Sequence, residues 1–255
     1  MTKNLDNSGL KSVADQYDLF FIDLWGVVHN GIELYQESID VLEKLSERKK
    51  ELVLLTNAPR PNYNVVDFLK RMGLEQKFCS KVYTSGEAAL NYLTSNFKNK
   101  TFFHLGPPRD FALFNNYKKN KKQKISEAEY LLCTGLFDEH DKELSYYKMF
   151  LKKEIGKIMI CTNPDLIVDR GEKREFCAGS VAKVFEELGG KVEYFGKRTP
   201  HFSENTPFFE QIPMPGYSTI PKILHFSTHP LLQILHYSRD TPLFAPIPLP
   251  GYSTF

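Results

Sequence analysis

The stretch LFFIDLWGVVHNG, residues 19–31, decides the fold that this chain is expected to adopt. Its apolar start leads directly into an acid, Asp23, and a polar turn follows at Asn30-Gly31. A short apolar run bounded by turn residues is typical of a strand buried inside a parallel sheet. Ligands of such sheets bind at the carboxyl ends of the strands. Asp23 is therefore predicted to lie at a strand tip, where it either attacks phosphorus as a nucleophile or only caps a turn.

Two further predicted strands end in residues that suit a phosphate group. ELVLLTNAPR, residues 51–60, is an apolar strand that ends in Thr56-Asn57. A hydroxyl group and a backbone N–H just before a helix suit phosphate oxygens. VEYFGK, residues 192–197, ends in Lys197, a compact cation suited to a phosphoryl group. Each motif alone is common in turns, and the three strand ends together form a more specific set.

These three segments resemble motifs one, two and three of the haloacid dehalogenase (HAD) superfamily, and in particular the NagD-like phosphatases of subclass IIA. Residues 161–171, CTNPDLIVDRG, and residues 176–197 resemble segments of the same subclass, so the likeness covers about residues 15–197. The resemblance implies an α/β fold. A Rossmann-like parallel sheet would form the core, and an α/β cap domain would be inserted between motifs two and three.

The resemblance also implies a role for each motif residue. Asp23 would be the nucleophile and a ligand of Mg²⁺, and the backbone carbonyl of Trp25 would be a second ligand. Thr56 would bind the phosphate, with the backbone of Asn57 beside it. Lys197 would stabilise charge on the nucleophile and on the transferred phosphoryl group. The expected reaction is hydrolysis of a small phosphorylated metabolite, a sugar phosphate or a nucleotide, through an aspartyl-phosphate.

Motif one departs from the family at position 25. The family's phosphatases usually read DxD, and the second Asp protonates the leaving group and later activates water. Trp25 stands at that position here. An indole cannot transfer a proton at neutral pH, and general acid–base help is worth about 10²- to 10⁴-fold in rate. We therefore expect impaired turnover.

The second departure lies after Lys197, where the family continues to a paired-acid motif of the form GDxxxTD that completes the Mg²⁺ site. No such motif follows here, and the remaining acids are isolated from one another: Glu204, Glu210 and Asp240. Mg²⁺ prefers near-octahedral oxygen ligation with more than one carboxylate or with help from substrate phosphate. We expect an incomplete site and poor metal affinity.

The tail, residues 199–255, differs from the rest in composition. It holds ten of the fifteen prolines and only three acids. Its segment 201–219, HFSENTPFFEQIPMPGYST, returns as HYSRDTPLFAPIPLPGYST at 236–254. Dense prolines argue against regular helix or a central strand, so we expect the tail not to complete the core. A changed reading frame or fused exon would explain it, and a genuine Pro-rich extension is the alternative.

Strands alternate with helix-like stretches, which predicts a division into three parts. Residues 1–87 and 191–198 would form the HAD-like core, residues 88–190 the cap domain, and residues 199–255 a tail unlike the family.

Composition limits the remaining possibilities. A net charge of +2 predicts no general attraction to nucleic acid, and the basic run KKNKKQK at 118–124 is interpreted as a solvated loop. The four scattered cysteines are typical of reduced core thiols in a cytoplasmic protein. No targeting or membrane segment is visible. The partner that the family resemblance implies is a small phosphorylated metabolite. Assembly into a homo-oligomer stays open.

Two functions of other classes remain alongside the phosphatase. Trp25 and the missing acids favour a non-catalytic phosphate-binding protein. The tail favours an inactive product of a disrupted gene.

Overall fold

The computed structural model describes residues 9–171 and 173–197 and the backbone of residues 223–226. Contacts divide the chain into two compact units. The first unit comprises Met1–Leu55, Met72–Lys81 and Ile212–Phe255, and the second comprises Thr56–Arg71 and Val82–Gln211. The expected α/β class is confirmed by parallel sheets in this structure. The predicted boundaries between core, cap and tail stay a prediction.

The first unit is built on the predicted strand that ends at Asp23. Strand β1 (Leu19–Asp23) is buried along its whole length, as expected for an apolar run inside a parallel sheet. It pairs in parallel with β2 (Glu51–Thr56), in a register that sets Asp23 opposite Leu55. Helix α1 (Gln36–Glu47) joins the two strands and buries Leu42 and Leu45, which lie one turn apart on one face.

The tail contributes a strand to this sheet, which its proline content argued against. Strand β10 (Ile223–Phe226) pairs in parallel with β1, on the side opposite β2. These four residues contain no proline, although Pro221 and Pro230 lie on either side of them in the sequence. Each of their amides can therefore donate to a neighbouring strand. The expectation of a tail without a strand is wrong at these residues, and the two repeated segments lie outside the described residues.

The second unit contains a parallel sheet of four strands in the order β4-β5-β6-β9. These strands are β4 (Phe102–Leu105), β5 (Tyr130–Cys133), β6 (Ile158–Cys161) and β9 (Lys191–Tyr194). Along β5, Leu131 and Cys133 belong to one buried cluster, whereas Tyr130 and Leu132 belong to another. Successive side chains of a strand point to opposite faces, so both faces of this sheet are covered.

Helices and shorter strands complete the second unit. The helices are α2 (Asn62–Arg71), α3 (Ser85–Asn96), α4 (Leu144–Leu151) and α5 (Ala178–Glu187). Strand β3 (Val82–Thr84) precedes α3, and a 3₁₀ segment spans Pro108–Asn120. An antiparallel hairpin of β7 (Ile167–Arg170) and β8 (Lys173–Phe176) was not predicted from the sequence. Its strands are only four residues long, too short to show a clear alternating pattern.

Two predictions from composition can be compared with this structure. All four cysteines are buried and free, as expected for core thiols. The basic run at 118–124 is not a simple loop, because it begins inside the 3₁₀ segment. Within it, the Lys121 ammonium lies 4.2 Å from the centre of the Phe111 ring. In the described part of the chain, no helix combines the length and the apolar character that a membrane crossing would need.

Candidate active site

The carboxylate of Asp23 lies at the tip of β1, as predicted. Only 6% of Asp23 is exposed, and β1 has a parallel neighbour on each side. The next backbone amide, that of Leu24, donates to its Oδ1 atom at 2.8 Å. A hydrogen bond of this kind favours the charged carboxylate and holds one of its oxygens in place.

A tight turn follows Asp23. The carbonyl of Leu24 accepts from the amides of Val28 and His29, at 2.8 and 3.1 Å, and the amide of Gly26 donates to the His29 carbonyl at 2.7 Å. Gly26 has a φ of +72°, which residues with a Cβ rarely adopt. The glycine three residues after the acid therefore lets the chain turn at once at the strand tip.

Trp25 packs within this same loop. Its ring meets the imidazole of His29 edge to face, with the ring centres 5.4 Å apart. A Cβ on Gly31, whose φ is +87°, would lie only 2.5 Å from the Trp25 ring. The indole thus covers the turn at Gly31, which only glycine can occupy at this distance. This packing fills the position of the family's second acid with an apolar ring.

His29 is a site residue that sequence reasoning missed. It is buried, and its Nδ1 accepts from the amide of Gly31 at 3.0 Å, so a neutral ring carries its proton on Nε2. Burial lowers the pKa of His29 to about 4, although the nearby Asp23 carboxylate raises it. At neutral pH this imidazole is uncharged. A histidine between an apolar pair and an Asn-Gly turn was the available signal in the sequence.

In the second unit, Asn57 joins two of the predicted motifs. Its side-chain Oδ1 accepts from the backbone amide of Lys197 at 2.7 Å, and its Nδ2 donates to Asp165 Oδ1 at 2.9 Å. Asn57 is 6% exposed, so both bonds are made in a buried position. The prediction gave Asn57 a role through its backbone only. The structure shows that its side chain ties motif two to motif three and to Asp165, a residue that the sequence analysis did not single out.

Gly196 allows this connection. Its φ is +145°, and a Cβ there would lie 2.6 Å from Asn57 Oδ1 and 2.5 Å from the ring of Pro164. Distances below 3 Å are not tolerated by real Cβ atoms without a shift of the neighbours. The glycine before Lys197 is therefore required by the close approach of the Asn57 side chain.

Thr56 is buried at the end of β2, as predicted. Its hydroxyl accepts from the amide of Ala58 at 3.3 Å, which bends the chain away from the strand. A second hydroxyl, that of Ser85 at the start of α3, donates to the carbonyls of Thr162 and Ala58 at 2.6 and 3.1 Å. The loop after β2 is thus held from both sides within its own unit.

The predicted site residues form two groups, each described within its own unit. Asp23 and Trp25 belong to the first unit, and Thr56, Asn57 and Lys197 belong to the second. Among the described residues, no group of three or more His, Cys, Asp or Glu side chains could hold a metal ion. One carboxylate with one carbonyl does not satisfy the ligation that Mg²⁺ requires. The described donors therefore do not complete a Mg²⁺ site.

Comparisons with known proteins identify the family. A family model described as haloacid dehalogenase-like hydrolase matches residues 20–119. The crystal structure of a haloacid dehalogenase-like hydrolase from Brucella suis 1330 is 30% identical, covers 76% of this chain and 72% of that one, and superposes with a TM-score of 0.66. The chain belongs to the haloacid dehalogenase-like hydrolase family. The resemblance predicted from the three motifs is confirmed.

Other members of the family are similar over most of their length. A structure assigned as a NagD protein is 25% identical, with 78% of each chain covered and a TM-score of 0.58, as expected for the NagD-like subclass. A 4-nitrophenylphosphatase from Thermotoga maritima is 26% identical, with 72% of this chain and 69% of that one covered and a TM-score of 0.54. Phosphoglycolate phosphatase 2 of Arabidopsis thaliana is 24% identical over 64% of this chain, which spans 61% of the length of that relative.

Proposed function

We propose that this chain hydrolyses the phosphate monoester of a small metabolite through an aspartyl-phosphate formed on Asp23. The observation that carries the proposal is the buried carboxylate at the tip of a strand with parallel neighbours on both sides. The names of two similar proteins, a 4-nitrophenylphosphatase and a phosphoglycolate phosphatase, support a phosphate ester as the substrate class. Sugar phosphates and nucleotides are the first candidates.

The proposed reaction has two steps. A carboxylate oxygen of Asp23 attacks phosphorus, the bond between phosphorus and the ester oxygen breaks, and the leaving alkoxide takes a proton from water. Water then attacks phosphorus, the bond to Asp23 breaks, and the carboxylate and orthophosphate are released. Thr56 and the Asn57 amide would bind phosphate oxygens, and the Lys197 ammonium would stabilise the negative charge that builds up on them. The Asn57 side chain would keep the Lys197 backbone in position through its 2.7 Å bond.

Turnover by this route is expected to be slow. The indole N–H of Trp25 is not acidic at neutral pH, and His29 is neutral at pH 7 because burial lowers its pKa to about 4. Neither residue can then assist the leaving group as a general acid, and that assistance is worth about 10²- to 10⁴-fold. Mg²⁺ is the metal that the family resemblance implies. Since the described donors do not complete its site, the steps above are assigned to the chain's own residues.

The proposal is tested by the release of p-nitrophenol from p-nitrophenyl phosphate, with Mg²⁺ and with a chelator. Asp23→Asn keeps the size of the side chain and removes the nucleophile, so it should abolish release. Asp18→Asn is the matched control, because Asp18 is exposed just before the first residue of the same strand. An Asp23→Asn variant that turns over at the parent rate would show that the assigned role is wrong.

The second candidate is a protein that binds phosphate compounds without converting them. Trp25, which occupies the position of the family's acid, favours it. Calorimetry with inorganic phosphate separates the two functions. Binding together with no release of p-nitrophenol in the presence of Mg²⁺ would favour the binding protein.

A further inference from the structure

An ion pair between a half-buried arginine and a buried aspartate lies at the loop that follows Thr56. The Nε atom of Arg60 is 3.0 Å from Oδ1 of Asp110. The Asp110 side chain is 3% exposed, whereas the Arg60 side chain is 34% exposed. The carboxylate is therefore fully enclosed, and the guanidinium that it holds reaches the surface of the second unit.

A chain of polar groups supports Asp110 from behind. Its carboxylate is hydrogen-bonded to Thr134, whose Oγ1 lies 2.8 Å from Nε2 of His104. Burial raises the pKa of Asp110, and the Arg60 guanidinium lowers it. Gly106 allows the approach, because a Cβ there would lie 2.1 Å from Thr134 Oγ1. These residues lie at the ends of β4 and β5, so the sheet itself positions the acid.

The backbone of Arg60 is fixed as firmly as its side chain. Its carbonyl accepts from the hydroxyl of Thr84. A Cβ on Gly86 would lie 2.3 Å from the Arg60 nitrogen, so the start of α3 presses directly on this backbone. Because its backbone and its guanidinium are both held, Arg60 loses little conformational freedom when it binds a further group. This small entropic cost favours binding.

One edge of the guanidinium remains available. The Nε atom bonds Asp110, and within residues 9–171 and 173–197 no acceptor is bonded to Nη1 or Nη2. These two nitrogens present parallel N–H groups that match the two oxygens of a carboxylate or a phosphate. A lysine could neutralise Asp110 equally well but could not offer this planar pair.

Stability alone does not explain the pair. Burial of a carboxylate costs several kcal/mol, so a buried ion pair adds little net stability over apolar packing. The chain also contains a pair without this cost, Arg48–Asp15 at 2.9 Å, in which both side chains are exposed. Arg48 is 38% exposed, close to the value for Arg60, and differs from it chiefly in the burial of its partner.

We propose that Arg60 recognises a second anionic group of the substrate, a carboxylate or a second phosphoryl group, and that Asp110 is its positioning residue. This inference rests on the proposed function and narrows its substrate class. Arg60 lies three residues after Asn57 in the same unit, a separation of at most about 11 Å along the chain. A phosphate ester with an acidic group a few bonds from phosphorus spans such a distance together with the arginine side chain.

The test is calorimetric binding of analogues that cannot be hydrolysed. Methylphosphonate carries one anionic group, phosphonoacetate adds a carboxylate, and methylenediphosphonate adds a second phosphonate. The parent should bind at least one of the two double anions about 10- to 100-fold more tightly than methylphosphonate, the worth of a charge-assisted hydrogen-bond pair. The double anion that is preferred identifies the group that Arg60 recognises.

The variants separate recognition from folding. Arg60→Gln should remove the preference and leave the affinity for methylphosphonate within about 2-fold of the parent value. Arg60→Lys retains the charge and the ion pair, and it should retain only part of the preference. Asp110→Asn should reduce the preference because Arg60 is no longer held. Arg48→Gln, the matched control, should leave all affinities unchanged.

The outcomes distinguish this inference from the proposed function. It is overturned if the parent shows no preference for either double anion, or if both Arg60→Gln and Arg60→Lys keep the full preference. It is also overturned if the two Arg60 variants weaken binding of all three analogues equally. An Arg60-dependent preference without turnover of any phosphate ester would mean that the proposed hydrolysis fails while the ligand class stands. Turnover of a phosphate ester without that preference would mean that the proposed hydrolysis stands while the role of Arg60 fails.

Discussion

The strand ends of the two units differ in how their polar groups are used. At the end of β1 a single carboxylate, Asp23, is followed by a loop in which an indole and an imidazole pack together. In the second unit the polar groups bond one another: Asn57 with Asp165 and with the Lys197 amide, and Arg60 with Asp110. Changes in the loop after Asp23 should therefore act mainly on chemistry, and changes in the bonded polar groups of the second unit mainly on stability and binding.

The largest effect is expected from removal of the tail. Deleting residues 199–255 removes β10 and leaves one side of β1 without its parallel neighbour. Bare strand edges with buried apolar residues favour aggregation, so the cooperative thermal transition should be lost. Deleting only residues 227–255 retains β10 and is the matched control. Equal melting of the full chain and the form that ends at residue 198 would show that β10 does not stabilise the sheet.

Gly196→Ala should destabilise the second unit by about 3 kcal/mol, because a positive φ and overpacking act together. The added Cβ would lie 2.6 Å from Asn57 Oδ1. Gly189→Ala is the control, since Gly189 also has a positive φ, +93°, but nothing lies within 4 Å of its Cβ position. In that variant the free energy of unfolding should fall by about 1 kcal/mol, because of backbone strain alone. Urea denaturation measures both, and equal losses would contradict the role of the close approach at Gly196.

Trp25→Asp tests whether the apolar loop of the first unit limits the chemistry. The substitution restores a proton donor at the family's position, so the rate of p-nitrophenol release should rise about 10- to 100-fold with Mg²⁺ present. Trp25→Phe retains an aromatic ring and should bring no gain. If Trp25→Asp also brings no gain at saturating Mg²⁺, the missing acids limit the reaction.

The buried histidine of the second unit should make stability depend on pH. Burial and, to a smaller extent, the nearby Lys121 ammonium together lower the pKa of His104 to about 3. In the unfolded chain the pKa of His104 is near 6.5, so the unfolded chain binds the proton more readily than the folded one. The stability that the neutral imidazole contributes is therefore complete above about pH 6.5 and is lost as the pH falls towards 3. Between pH 6.5 and 5 the loss should be about 2 kcal/mol. Thermal melts of His104→Gln should show a weaker dependence in this range, and an unchanged dependence would contradict the assignment.

The strands that carry strong apolar patterns could be predicted from the sequence, for physical reasons. The apolar run before Asp23 and the run before Thr56 could be recognised as buried parallel strands, and both are strands in the structure. The family could be recognised because the residue types of its three motifs, Asp23, Thr56-Asn57 and Lys197, stand at the ends of three predicted strands. The strand at residues 223–226 could not be predicted, because the prolines around it outweighed a four-residue run without proline.

The hydrogen-bond partners of the site residues also could not be predicted from the sequence. Asp165 and Asp110 are far from Asn57 and Arg60 along the chain, and only the fold brings each pair within hydrogen-bond distance. The same is true of His29, because burial gives it a lowered pKa that its neighbours in the sequence do not indicate.

The measurement that tests the central claim most directly is the search for phosphate on Asp23. The protein is mixed with excess p-nitrophenyl phosphate and Mg²⁺, quenched in acid within the first turnover, and digested for mass spectrometry. We expect the peptide containing Asp23 to gain the mass of one phosphoryl group, and we expect no such gain in Asp23→Asn. Release of p-nitrophenol with no phosphorylated peptide, or with the phosphoryl group on another residue, would show that Asp23 is not the nucleophile.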